Sequence, residues 1–137
     1  MSTSRNIKFK AICQHDETGR FHSQTYGVSQ SPVLPSDRYH WVVKDLQYTG
    51  LLDKNNKEIY EDDIADGGTN TVVQVIWSDH HQWGCKVIKG SVLTTGLTFP
   101  LWHWDNCRQN EYGQLEVTGT IHENPELLIK EVIHEKI

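Results

Sequence analysis

A chain of 137 residues with a formal net charge of -5, 23% charged and 36% hydrophobic residues fits one domain with a core of its own. That acidic balance disfavours a protein that holds duplex nucleic acid mainly through phosphate contacts, a mode that needs clustered Lys and Arg. Three cysteines, Cys13, Cys85 and Cys107, lack framework spacing and read as reduced thiols; with no apolar signal core at the N-terminus and no membrane-length apolar run, a cytoplasmic protein without disulfides is expected.

In chain order, Ile7, Phe9 and Ala11 alternate with Lys8 and Lys10, the period of a half-buried strand. The run Asp16, Glu17, Thr18, Gly19 then turns the chain back into Arg20, Phe21 and His22, giving an opening hairpin over residues 5–28. Residues 29–37, SQSPVLPSD, read as a surface loop. Tyr39 to Val43, aromatic and β-branched, leads into Leu46 and Tyr48 as strand, and Thr49-Gly50 signals a strand end. A polar run centred on Asn55-Asn56 predicts a tight turn. The acids Glu61, Asp62 and Asp63, flanked by Ile59 and Ile64, predict a solvated shoulder before the next strand.

Asp66-Gly67-Gly68 reads as a further turn, followed by the core strand 71–77, whose residues Val73, Val75 and Trp77 share one face and Val72, Gln74 and Ile76 the other. A polar connection with His80 and His81 leads to an antiparallel strand from Trp83 to Ile88. Residues 91–100 are irregular, with extended residues at Val92-Leu93 and from Leu97 to Phe99. Trp102 and Trp104 share one face of a strand that Leu101 and His103 complete, a polar loop spans 105–113, and Leu115, Val117, Gly119 and Ile121 alternate as a last strand. Asn124-Pro125-Glu126 predicts a helix start, with Asn at the cap and Pro at the first helical position, and the tail 124–137 continues as helix or extended chain. The expected fold is mainly β: a β core over 39–122 forming a small bent antiparallel sheet or an SH3-like barrel, with an N-terminal hairpin and a short C-terminal helix in a single domain, 1–137.

The stretch 46–64, LQYTGLLDKNNKEIYEDDI, resembles the YopX family of phage and prophage proteins, whose pattern runs approximately L-Q-Y-T-G-L-x-D-K-N-G-K-E-I-Y-E-G-D-I. Gln47, Tyr48, Thr49, Gly50, Leu51, Asp53, Lys54, Asn55, Lys57, Glu58, Ile59, Tyr60, Glu61, Asp63 and Ile64 carry the match. Residues 7–11, IKFKA, are similar to the family's I-K-F-R-A opening, and 116–128, EVTGTIHENPELL, to its E-V-I-G-N-I-Y-E-N-P-E-L-L. The chain departs at Asn56 and Asp62, where the family has Gly, and at Ile12-Cys13, where it has Trp followed by Asp. A positive φ at Asp62 would be costlier than one at Asn56. The resemblance implies a small, largely β protein encoded by a temperate phage, often among accessory or replication-module genes. It supplies no catalytic residues.

His80, His81, Cys85, His103 and Cys107 would offer imidazole and thiolate ligands to zinc if their strands converge, but they lack a Cys-x-x-Cys pair and are only secondary candidates. Glu58, Glu61, Asp62, Asp63 and Asp66 lack the ligand positions of a calcium loop and read as solvated charge. No phosphate loop or nucleophile elbow is present. The surplus aromatics Trp83, Trp102, Trp104, Tyr48 and Tyr60 are the candidate binding residues. The expectation is therefore a non-enzymatic accessory protein without a cofactor, a homo-oligomer that binds a host or phage protein and no membrane. The alternative is a single-strand-binding module that uses Arg5, Lys8, Lys10 and Arg20, and a metal-dependent enzyme ranks behind it.

Overall fold

Residues 7–68, 71–78, 81–90, 95–101 and 115–128 are described by the computed structural model. They form the strands β1 (Lys8–His15), β2 (Phe21–Gly27), β3 (Tyr39–Leu52), β4 (Glu58–Tyr60), β5 (Asp63–Gly68), β6 (Thr71–Trp77), β7 (Trp83–Lys89), β8 (Thr98–Pro100) and β9 (Glu116–Thr120). These build two antiparallel sheets, one ordered β2-β1-β3-β4 and the other β8-β7-β6-β5-β9. Among the described residues neither sheet closes on itself, so the chain is mainly β in bent, open sheets and not a barrel.

The opening hairpin forms as its sequence predicts. Gly19 turns at φ 74°, and the His15 imidazole Nδ1 accepts the N–H groups of Glu17 and Thr18 at 3.1 Å each, which satisfies the turn's amides locally. In β1 the consecutive residues Ala11, Ile12 and Cys13 all have 0% exposure, so both faces of this inner strand are covered. The loop after β2 folds back onto it. Gln24 Nε2 donates to the Val33 carbonyl at 2.7 Å while its Oε1 accepts the Val33 N–H at 2.9 Å.

β3 does not end at Thr49-Gly50. Gly50 does adopt φ 90°, but it sits in an irregularity of the β3–β4 ladder between Tyr48 and Leu52, so the strand bends there and continues. The turn at Asn55-Asn56 forms as expected, with Asn56 at φ 65°. Asp53 builds it: Oδ1 accepts the N–H groups of Asn55 and Lys57, both at 2.8 Å. Its Oδ2 accepts the Val117 N–H of β9 at 3.0 Å, and the neighbouring Lys54 N–H donates to the Leu115 carbonyl at 2.9 Å. One carboxylate with 1% exposure thus joins the hairpin of the first sheet to the edge of the second.

The chain changes sheet at 61–62. Glu61 N–H donates back to Gln47 at 2.9 Å and Asp62 N–H forward to Val75 at 2.8 Å, and the Asp62 carbonyl accepts the Ile121 N–H at 3.0 Å. Asp62 takes φ 67° where a glycine would be easiest, and its side chain offsets the cost by accepting from Gln74 Nε2 at 3.3 Å and meeting His122 Nε2 at 2.9 Å. The segment after it is strand β5, with Ile64 and Ala65 at 0% exposure, and this corrects the expected turn at Asp66-Gly67-Gly68.

The core joins Ile59, Ala65, Val73, Val75, Cys85, Val87, Leu101, Leu115 and Val117, with Leu51, Trp83 and Phe99 packed against it. Val73 and Val75 point inward as the alternation predicts, while Trp77 at the strand end is 54% exposed. Gly119 of β9 is fixed by packing, since a Cβ there would lie 2.4 Å from Asn124 Oδ1. That oxygen accepts the Thr120 N–H at 3.2 Å, so the Asn124 side chain reaches upstream, and the helical turn beginning at 126–128 follows. Val92, Leu93, Trp102, His103, Trp104 and the rest of the tail lie outside the described residues.

Removing the Asp53 carboxylate leaves three backbone donors without their acceptor. Asp53→Ala is expected to lower the unfolding free energy by about 3 kcal/mol in urea denaturation, and a loss below about 1 kcal/mol would contradict the role assigned to it.

Candidate functional site

Two arrangements concentrate chemistry-bearing side chains. The first lies inside, where β1, β3, β4 and β5 meet. Tyr48 and Tyr60 are 8% and 2% exposed and their rings pack at 5.4 Å with a 40° tilt, so both binding tyrosines expected from the sequence lie within the chain. Lys8 donates to Glu58 Oε2 and lies 5.4 Å from the Tyr48 ring centroid, and Lys10 lies 4.6 Å over the Tyr60 ring. The Tyr60 hydroxyl donates to Glu58 Oε1 at 2.9 Å.

Asp63 closes this cluster and overturns the solvated-shoulder expectation: it has 0% exposure. Oδ2 accepts the Tyr60 N–H at 2.8 Å, whereas Oδ1 accepts no hydrogen bond and has the Lys10 ammonium at 3.9 Å. Burial pushes its pKa up to about 7, against the lowering effect of Lys10 and the Tyr60 N–H. Burial also works to raise Glu58, but hydrogen bonds from Lys8 and Tyr60 and the charges of Lys8 and Lys10 hold its carboxyl below the usual range. Burial raises Tyr60 and Tyr48, and the Glu58 charge raises both further.

The metal candidates do not assemble among the described residues. His81 is an exposed turn residue at φ 60°, whereas Cys85 is a core residue whose thiol burial pushes far up. No group of three His, Cys, Asp or Glu able to hold an ion occurs among the described residues. His80, His103 and Cys107 lie outside them, as do Trp102, Trp104 and Arg5. Cys13 and Cys85 are free thiols. Trp83 is half-buried and meets Trp77 edge to face at 5.1 Å and 82°, a cross-strand pair that leaves Trp77 as the exposed partner.

The second arrangement lies on the first sheet, between β2, β3 and the loop after β2, and was not foreseen. Tyr26 of β2, Trp41, Lys44 and Asp45 of β3, and Gln30 and Pro32 of the following loop line a groove of about 310 Å³. Tyr26 stacks on Phe9 at 5.5 Å and its hydroxyl donates to the Lys44 carbonyl. Burial raises its pKa, and the charge of Asp45 and a hydrogen bond to its carboxylate raise it further. The loop beside the groove exposes Val28 and Val33 at 71% and 70%. The sequence signal was the period-two placement of Tyr39, Trp41 and Val43, which marks a sheet face without saying what covers it.

The fold defines a small two-sheet antiparallel β protein. The family model described as YopX protein matches residues 1–129, and the chain belongs to the YopX family. No curated protein matches the chain. Among solved structures, protein EF1440 from Enterococcus faecalis is similar at 20% identity and a TM-score of 0.47, covering 88% of this chain and 97% of that one. Among the described residues no helix is long and apolar enough to cross a membrane.

The shifted Asp63 makes stability depend on pH. Its ordinary value is 3.8 and its folded value about 7. Protonated Asp63 therefore favours the folded state, fully below the first value, and that contribution is lost as pH rises through the second. Relative to Asp63→Asn, which stays uncharged, the wild type is expected to lose stability steadily between about pH 4 and pH 8 in urea denaturation. A difference that stays constant over that interval would contradict a buried, unbonded Oδ1.

Proposed function

We propose that this YopX-family chain is a non-enzymatic phage or prophage accessory module that associates with itself and binds a host or phage protein in the bacterial cytoplasm. The observation that carries this reading is the edge strand β2. A free edge presents unpaired N–H and C=O groups, and edges of monomers are usually short, charged or interrupted by proline. β4 and β8 have three residues each, and β8 ends in Pro100. β2 has seven, FHSQTYG, with no Lys, Arg, Asp, Glu or Pro.

Among the described residues no other strand pairs with the outer side of β2. Phe21 is 36% exposed, and Ser23 and Thr25 are exposed beside it. Two copies paired antiparallel about a two-fold axis would bring no carboxylate or ammonium of this strand against its counterpart, even though each chain carries a net charge of -5. The free thiols Cys13 and Cys85 suit a reducing cytoplasm. A single-strand-binding role is less favoured, because Lys8 and Lys10, which would hold phosphates, are directed at Glu58 and Asp63.

Native mass spectrometry of the purified chain at micromolar concentration is expected to show a dimer. Ser23→Lys, an exposed position that faces the uncharged Ile12 within the chain and adds an ammonium to the seam from each copy, should weaken the dimer by at least about tenfold while surface exposure keeps its effect on folding within about 0.5 kcal/mol. A strictly monomeric wild type, or a dimer indifferent to Ser23→Lys, would overturn the reading.

A further inference from the structure

We propose that the groove between Trp41, Tyr26 and Asp45 is a receptor for an arginine side chain presented by a partner protein. The inference rests on the protein-binding reading and names the chemistry of the partner. The groove's volume of about 310 Å³ suits a single side chain and lies at the lower end of ligand-sized clefts. Its lining combines two aromatic rings with a carboxylate, the combination that attracts a flat cation: the ring face supplies its quadrupole and the carboxylate takes up the N–H donors.

Each part of the groove is available for that task. Lys44 Nζ lies 6.0 Å from the Trp41 ring centroid, at the outer limit of attraction, so the indole already faces a cation that holds it weakly. Among the described residues no ion pair engages Asp45, and although the Tyr26 hydroxyl hydrogen-bonds its carboxylate, one such bond leaves the carboxylate's other acceptor positions for a ligand. A guanidinium binds a carboxylate through two parallel bonds and stacks on an indole, which an ammonium such as Lys44 does less well. The overall charge of -5 draws basic partners toward the chain and raises their encounter rate. Gln30 and Pro32 supply one rim, and the exposed Val28 and Val33 extend an apolar margin for the residues flanking the arginine.

The probe is N-acetyl-arginine amide, titrated into the full chain while the Trp41 indole N–H is followed by NMR. A saturable shift is expected, at least about tenfold weaker with neutral N-acetyl-citrulline amide and at least about fivefold weaker in Asp45→Asn, whose unchanged melting temperature would show that the fold is kept. A flat titration, an equal response to citrulline, or saturation by an acetylated proline tripeptide in place of arginine would overturn the inference. Native mass spectra of the same samples separate the two claims. A dimer with a flat titration removes only the arginine receptor, and a monomer with a saturable titration removes only self-association.

Discussion

The carboxylate of Asp53 accepts three backbone N–H groups and, among the described residues, forms no ion pair, so its burial is compensated by hydrogen bonds alone. Such bonds to a charged acceptor are worth about 1.5–3 kcal/mol each when intact, and leaving the donors bare costs a similar amount. Two of the donors shape the turn between β3 and β4; the third belongs to Val117 of β9. Local turn geometry and the docking of one sheet on the other therefore depend on the same two oxygens. The change of sheet at 61–62 lies between these anchors, and Asp62 fixes it by backbone bonds to Val75 and Ile121.

Asp63 shows the opposite balance. It is as buried as Asp53 but keeps one oxygen without a hydrogen bond, facing Lys10 at 3.9 Å. A buried acceptor with an incomplete partner is costly, and the protein reduces that cost by favouring the protonated acid. Lys10, Tyr60, Glu58 and Lys8 form the alternating basic, aromatic and acidic row that encloses it. This use of charge bears on function as well as stability, because it commits Lys8 and Lys10 to Glu58 and Asp63.

Much of the fold was legible in the sequence. The alternation of Val73 and Val75, the turn at Asn55-Asn56 and the polar break before Trp83 are local signals, and each formed as expected. What was hidden depended on distant partners. The run Glu61, Asp62, Asp63 looks solvated until Lys10 and the Tyr60 N–H are placed beside Asp63. β5 was obscured because Asp66-Gly67-Gly68 has turn composition, although pairing with both β6 and β9 holds the segment extended. Gly50 shows the limit of a residue signal: the positive φ was correct, but it produced a bend within a strand and no end. The groove was invisible for the same reason, since Tyr26, Trp41 and Asp45 come together only when β2 and β3 flank β1 and the loop folds back through Gln24.

If the Asp53 linkage makes the two sheets one cooperative structure, their inner strands open together. Native-state hydrogen exchange tests this most directly, by comparing the opening free energies of the Ile12 amide in β1, the Val75 amide in β6 and the Val117 amide that Asp53 holds. Equal values, falling together in Asp53→Ala, are the predicted result. An Ile12 amide that opens several kcal/mol more easily than Val75, with Val117 unaffected by the substitution, would show two sheets that fold independently and would contradict the account.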